Sequence, residues 1–448
     1  MFQSKAILTQ NIWHRDHDIV APASRRDISV HYERARSIWL QSGLSQHDIK
    51  NLAPKFWDFH FDHRPDLQAV LDKLLNFDIC GEFMLTEVAH GLDARNLETI
   101  ATLLPDGSYD LDTPHAGAAK AMSPTTPYCN MSRLAIVFAR LIIHGESHGV
   151  KSFLAFLSDA GGMRPGITSR ILPTRPATKP LDHSLTIFRH VSLPSTALLG
   201  STVKPENDRL AFLQHIGRIA AGTLSLSIMG ISAIKVGTRI AAVYSERRTI
   251  AAAKGEEGKR IMDFSTQQHP IVEGWVQEKV LHAFAHWAID MCPDLSDPRQ
   301  HALASIFKAT VVKASQVRRH LSERCGWQGL FAYNQISELD LTFLGNAIAE
   351  GDTLVLCIRF MSELLGGKVE LPSARNRLSR LAQREEGLVA DMKSRLNTIG
   401  GYKEHRGLAF DRHILPRCRP LAESIGNRMA YEAAEKWGLP SEVLTLYG

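Results

Sequence analysis

An α+β fold, with an antiparallel β domain set between two helical parts, is what this sequence predicts, because the period of its apolar residues changes twice along the chain. Before about residue 84 they recur at three- and four-residue spacing. From there to about residue 203, β-branched and aromatic runs are cut by Gly, Asp and Pro turns, and after Lys204-Pro205 the helical spacing returns and stays. The divisions that follow are an N-terminal helical part over 1–84, a β domain over 85–203, a helical bundle over 204–370 and a short helical extension over 371–448.

The first helical stretches are VHYERARSIWLQSG, from Val30, and RPDLQAVLDKLLNF, from Arg64. Asp48 and Asp66 stand near helix starts, where a carboxylate accepts from unpaired backbone amides. The strands are expected in RLAIVFARLII, VKSFLAFLS and SLTIFRHVSL, bounded by the turns HGESHG and DAGGMRPG. Helices are then expected from Asp208 to Tyr244, from His269, from Arg299, and around Glu363 and Leu388. VELPSARNRL, from Val369, is the candidate linker into the extension.

Composition bounds the class more than the function. With 448 residues, 44% hydrophobic and 22% charged, the chain can bury sizeable cores in two or three layers. The net charge of +5 comes without any long basic run, which excludes a nucleic-acid arm and suits a polyphosphate-bearing ligand. Six scattered cysteines, with no CxxC pair, suggest neither a zinc site nor a disulfide framework and fit a reducing compartment. No apolar run of about 18 residues is expected to span a bilayer, and the N-terminus lacks the apolar core of a signal peptide.

Several motifs invite chemistry. His144-Gly-Glu-Ser-His148 has a metal-like spacing and the overlapping Gly145-Glu-Ser147-His-Gly149 fits GxSxG, but a Gly turn between strands gives neither one helix face for zinc nor the helix that a nucleophile elbow needs. No metal site is expected. Glu350, in AIAEGDTLVL, reads either as a helix N-terminal carboxylate or as a general base. Arg247-Arg248 reads as a solvated helix face or as a phosphate clamp, and the turn from Lys120 to Pro127 as a plain Thr-rich loop or a donor set.

Two segments decide among these alternatives: LTEVAHGLDARNLETIATLLPDGSYDL, from Leu85, and NAIAEGDTLVLCIRFMSELL, from Asn346. They resemble, in order and rough spacing, the flavin-contacting and base-bearing segments of the acyl-CoA oxidase and acyl-CoA dehydrogenase superfamily, closest to fungal oxidases. The resemblance implies that family's fold, a β barrel between two helical bundles, and FAD as cofactor. Glu350 matches the base that removes the proton beside a thioester carbonyl, and Gly351 follows it. Thr86 matches the Thr that bonds the flavin pyrimidine edge, and Gly91 the turn where backbone approaches the cofactor.

KAMSPTTP takes the place of the segment past the flavin N5 edge, with Thr125 and Thr126 as donors. Arg247, ahead of Arg248, matches an arginine that holds the FAD pyrophosphate across a subunit interface, and Gln267 lies in the following DFSTQQ. Gly326 and Gly329 match a Gly-rich turn near adenine. The resemblance therefore implies an acyl-CoA or other acyl thioester substrate and a homodimer or dimer of dimers. Departures stand at Ala349 (an aromatic in the family), Met122 and Trp327, and the N-terminal helical part is short. The final LTLYG is not the SKL-type address of peroxisomal relatives, so a cytoplasmic setting is expected. An electron-carrier-coupled dehydrogenase and a non-redox acyl-binding descendant are the alternatives.

Overall fold

The computed structural model describes residues 64–448, apart from 128–130, 174, 179–181, 218, 252–257, 292–297 and 406, together with residues 33, 35–37 and 40. Those early residues are helical, within the stretch predicted from Val30. Asp48, Cys129, Cys292 and the rest of the N-terminal part lie outside the described residues. Two compact units divide the chain, residues 1–217 and 218–448.

In the first unit, α1 (Gln68–Leu75) follows a turn in which Arg64 bonds both carboxylate oxygens of Asp66 at 2.9 and 2.8 Å. The strands are β1 (Ile79–Met84), β2 (Ile100–Leu103), β3 (Tyr109–Asp112), β4 (Lys120–Ala121), β5 (Ser132–Ile143), β6 (Glu146–Asp159), β7 (Gly162–Met163), β8 (Ile167–Ile171), β9 (Ser184–Phe188), β10 (Val191–Leu193) and β11 (Leu198–Leu199). β1 thus begins inside the stretch assigned to the helical part. The larger sheet runs β10-β3-β2-β5-β6-β11, with β1 on β5 and β7 on β6, and a smaller one runs β4-β9-β8.

The expectation of a purely antiparallel domain is corrected here. β1 pairs parallel to the first half of β5, Ile79 to Ser132 through Met84 to Val137, and β2 pairs parallel to its second half. One long strand therefore serves two short ones along a single edge, which a local hairpin could not arrange. Among the described residues of the first unit the ladders form two sheets rather than one closed ring. The sheets share a core, since Ile167 and Phe188 pack with Val137, Leu141 and Phe153.

β5 reads as a continuous apolar run because both its faces are covered. Ala135, Val137, Ala139 and Leu141 face the inter-sheet core, while Leu134 packs with Leu67 and Leu71 under α1. β5 and β6 join through His144 (φ 50°) and Gly145 (φ 80°), a two-residue left-handed turn that closes the Ile143–Glu146 pair. Ser147 consequently lies on a strand, which removes the nucleophile-elbow reading. Among the described residues no cluster of His, Cys, Asp and Glu is placed to hold a metal.

α2 (Asp208–His215) still belongs to the first unit and packs on β6. The second unit opens with α3 (Ile219–Arg247), followed by the short pair β12 (Thr249–Ile250) and β13 (Lys259–Arg260). Its further helices are α4 (Ser265–Asp290), α5 (Pro298–Ala314), α6 (Val317–Arg324), α7 (Ile336–Ile348), α8 (Thr353–Leu365), α9 (Arg380–Thr398), α10 (Leu408–His413), α11 (Leu415–Lys436) and α12 (Ser441–Tyr447). α3 lies against α4, α5, α6 and α7, and α5 against α3, α4, α8 and α11.

Two sequence expectations change here. The supposed extension is part of the bundle: Cys418, Leu421, Ile425 and Met429 of α11 and Met392 of α9 share one core with Phe284, Phe307 and Phe360. And α3, at 29 residues, is long and apolar enough to cross a bilayer by length and composition, as is the α7–α8 segment taken as one. That segment, however, is broken at residues 349–352 into two helices of 13 residues, each about 20 Å long against a ~30 Å hydrocarbon core. α3 buries Leu224, Ile231, Ile234 and Ala241 in the helical core instead.

Candidate functional site

The chemistry-bearing turn of the second unit is Ala349–Asp352, between α7 and α8. Asp352 ends it as the helix cap, its Oδ1 accepting from the amides of Leu354 at 2.9 Å and Val355 at 3.3 Å. The helix-dipole role open to Glu350 in the sequence therefore belongs to Asp352. Glu350 has φ 55°, a left-handed conformation unusual for a residue with a side chain, and Gly351 follows at φ 92°. Two left-handed residues in succession turn the backbone sharply enough to separate the helices and present the carboxylate toward α3.

Two side chains from other helices hold this turn by its carbonyls. Lys308, on α5, donates from Nζ to Ala349 O and to Gly351 O, both at 2.6 Å. Between them, Glu350 O accepts from the Thr223 hydroxyl on α3 at 2.8 Å, whose single proton is shared with Ile219 O at 2.7 Å. From α8, Thr353 Oγ1 donates to Ala347 O at 2.8 Å. Lys308 is 1% exposed, and burial pushes its ammonium down to about 8, with the carboxylates of Asp352 and Glu350 opposing that fall.

The Glu350 side chain lies across α3 at Gly222. A Cβ built there would stand 2.6 Å from Glu350 Cδ and 2.7 and 2.9 Å from its two oxygens, so the missing side chain makes the carboxylate's seat. Ala349 is exposed, and no ring stands at that position beside Glu350. Gly222, Thr223 and Lys308 escaped sequence reasoning. One signal was there to find: Lys308 is the single charge in the run ALASIFKATV, buried from Ala302 through Val311.

At the far end of α3, Arg247 is exposed and makes no ion pair among the described residues. Gln267 is otherwise engaged, its amide nitrogen donating to Ser245 Oγ at 2.8 Å and Arg324 O at 2.9 Å. Gly326 has φ 58° and opens a turn that continues through Gly329, where a Cβ would meet Ser322 O at 2.3 Å. Trp327, within that turn, points its ring outward, 66% exposed and edge-on to Phe331 at 5.1 Å.

In the first unit, Thr86 lies just past β1. Its carbonyl accepts from Ala121 N at 2.9 Å, while its hydroxyl and N–H make no bond to any described residue. The next residue anchors the turn: Glu87 is buried and accepts from Glu98 N, Thr99 N, the Thr99 hydroxyl and Lys120 Nζ at 2.6 to 2.9 Å. Desolvation is outweighed there, so the Glu87 carboxyl sits below its ordinary value, while burial pushes Lys120 down to about 8. His90 bonds Glu98 at 3.0 Å, a supporting role. Gly91 is exposed with nothing near its Cα face, so nothing in the turn requires glycine there.

Thr125 and Thr126 do not offer their hydroxyls outward. Thr125 Oγ1 bonds Ser169 Oγ at 2.7 Å and Thr186 Oγ1 at 2.6 Å, and Thr126 Oγ1 bonds Ser184 Oγ at 3.0 Å. These hydroxyls tie the segment after β4 to β8 and β9.

Comparison with known proteins agrees with this fold. The pattern of the acyl-CoA oxidase C-alpha1 domain matches residues 224–365, from α3 through α8 with the whole Glu350 turn inside it. Human peroxisomal acyl-coenzyme A oxidase 3 is 25% identical over 333 residues, 66% of this chain and 46% of that protein. Caenorhabditis elegans acyl-coenzyme A oxidase acox-1.1 is 25% identical over 323 residues, again 66% of this chain and 46% of that protein. The chain thus spans about half the length of these relatives.

Among solved structures, Arabidopsis thaliana acyl-CoA oxidase 1 superposes with a TM-score of 0.78 at 18% identity, over 99% of this chain and 78% of that one. Caenorhabditis elegans acyl-CoA oxidase-1, complexed with FAD and ATP, gives 0.72 at 19% identity, over 95% of this chain and 72% of that one. With the domain pattern running across α3–α8, these likenesses show an acyl-CoA oxidase-like fold, in a chain similar to acyl-CoA oxidases over about two thirds of its length.

Proposed function

We propose that the chain is an FAD-dependent, acyl-CoA oxidase-like enzyme that places an α,β double bond in an acyl thioester, with Glu350 as the base. The observation that carries this reading is the Glu350 turn, a carboxylate on a left-handed residue whose neighbouring carbonyls are fixed from two other helices. Glu350 takes the α proton, and the thioester carbonyl delocalises the electron pair left behind. FAD, when bound, would supply the acceptor for the β hydride and a route for the two electrons to oxygen, giving peroxide.

The residues fit the cofactor unevenly. Thr86, whose hydroxyl and N–H bond no described residue, suits the flavin pyrimidine edge, and Arg247, exposed and without an ion pair among the described residues, suits a pyrophosphate reached across a homodimer or dimer-of-dimers interface. Gly326 suits close backbone approach. Thr125 and Thr126 are committed to Ser169, Ser184 and Thr186, and Gln267 keeps only its carbonyl oxygen for a ligand. The open side of the turn at Ala349 favours a bulky or branched acyl group over a straight chain. Relatives include proteins named peroxisomal, so the setting is peroxisome or cytosol.

Glu350→Gln tests the assignment. Flavin content and thioester affinity should stay as in the parent, while single-turnover flavin bleaching slows by about 10³-fold or more, since a general base is worth about 10²–10⁴. Bleaching at the parental rate would place the base elsewhere, and a colourless protein that cannot take up FAD would remove the redox reading altogether.

A further inference from the structure

We infer that Lys308 and Thr223 are positioning residues for Glu350, holding three consecutive carbonyls of its turn so that the carboxylate stays over Gly222; this rests on Glu350 being the base. The polar residues of α5 make the case. Ser305 and Thr310 bond back to their own helix, at His301 O (2.7 Å) and Ile306 O (2.8 Å). Lys308 alone in that buried run reaches into another element, and it spends two of its protons on the carbonyls that flank Glu350. Burying an ammonium is costly, and a site that needed only packing would be served by an apolar side chain.

The turn needs such a hold. Glu350 stands in a conformation that residues with a Cβ leave readily, and the carboxylate would swing away from Gly222 if φ relaxed to negative values. Lys308 acts on the bonds either side of that residue, and Thr223 on its own carbonyl. Neither side chain contacts a substrate through these bonds. Both act on the base through its backbone.

The test uses the FAD-loaded protein, a 3-thia acyl-CoA and D2O. Sulfur in place of the β carbon leaves no hydride to give, so exchange of the α proton reads the base apart from redox turnover. In Lys308→Met, amide exchange at residues 350–354 should rise at least about tenfold and α-proton exchange should fall about 100-fold, with thioester affinity within about threefold. Thr223→Val, near-isosteric, should lower α-proton exchange about tenfold and serves if the Lys308 variant does not fold. A role confined to stability would lower Tm and leave the exchange rate of the folded protein unchanged, which would overturn the inference, as would unaltered amide protection. If the parent itself exchanges no α proton while Lys308→Met still loosens the turn, the base reading fails, and with it the positioning role.

Discussion

At Gly222 a helix gives up its side chain to seat a carboxylate, and the two consequences of refilling that space run in opposite directions. Alanine is favoured over glycine inside a helix by up to about 1 kcal/mol, and the atoms it would meet are the far end of a flexible Glu350 side chain rather than backbone. Gly222→Ala should therefore keep or raise Tm while cutting peroxide-forming turnover about 100-fold, the cost of a displacement of about 1 Å at a reacting group. Thermal unfolding and an oxidase assay on the same preparation check it. Undiminished turnover would mean that the carboxylate works from another position. The neighbouring Asp352 divides the labour: it caps α8, so Glu350 is released from stabilising that helix.

Among the elements, α11 shows how the last eighty residues join the bundle. Arg428, 1% exposed, bonds Glu385 on α9, Glu432 on its own helix at 2.8 Å and Pro372 O in the connection from α8 at 3.1 Å. Glu432 in turn accepts from Arg375 N at 3.0 Å, so one guanidinium and one carboxylate hold the linker at Pro372 and Arg375. Arg428→Met leaves two half-buried carboxylates without their cation and should cost about 3 kcal/mol, the range for breaking a buried pair from one side. The Arg428→Met, Glu385→Met double variant should recover part of that loss. Urea midpoints of the three proteins measure it, and a single variant as stable as the parent would show that α11 docks by its apolar face alone.

At the scale of the whole molecule, two of the buried titratable groups, one in each unit, shift in opposite directions. Burial raises Glu82, on β1, from 4.5 to about 7 in spite of its ion pair with Arg133, and lowers His301, on α5, from 6.5 to about 3 with Arg359 adding to the fall. For Glu82 the folded state binds more protons between pH 4.5 and about 7, so the first unit loses stability as pH rises through that window. For His301 the unfolded state binds more between about 3 and 6.5, so the second unit loses stability as pH falls through it. Each pH unit inside a window is worth about 1.4 kcal/mol for one fully linked group. Urea midpoints followed unit by unit with pulse proteolysis, at pH 5 and pH 7, should move in opposite directions. Glu82→Gln should flatten the first trend and His301→Gln the second; trends of the same sign would refute the assignment.

The sequence by itself determined the order of helix, strand and helix and the turn between β5 and β6, because period and turn chemistry are local properties of the chain. It could not show that β5 serves β1 and β2 in parallel, since a strand's partners lie tens of residues away and leave no local mark. Nor could it tell which hydroxyls and amides were already spent: Thr125, Thr126 and Gln267 look like donors in the sequence and are satisfied by Ser169, Thr186, Ser184, Ser245 and Arg324 in the fold. The seat of the Glu350 carboxylate was equally hidden, for Gly222, Thr223 and Lys308 meet Glu350 from two helices that are its neighbours only in space. Tertiary structure decided these because a hydrogen bond or a close approach depends on distance between atoms, and the chain fixes that distance only where packing brings remote elements together.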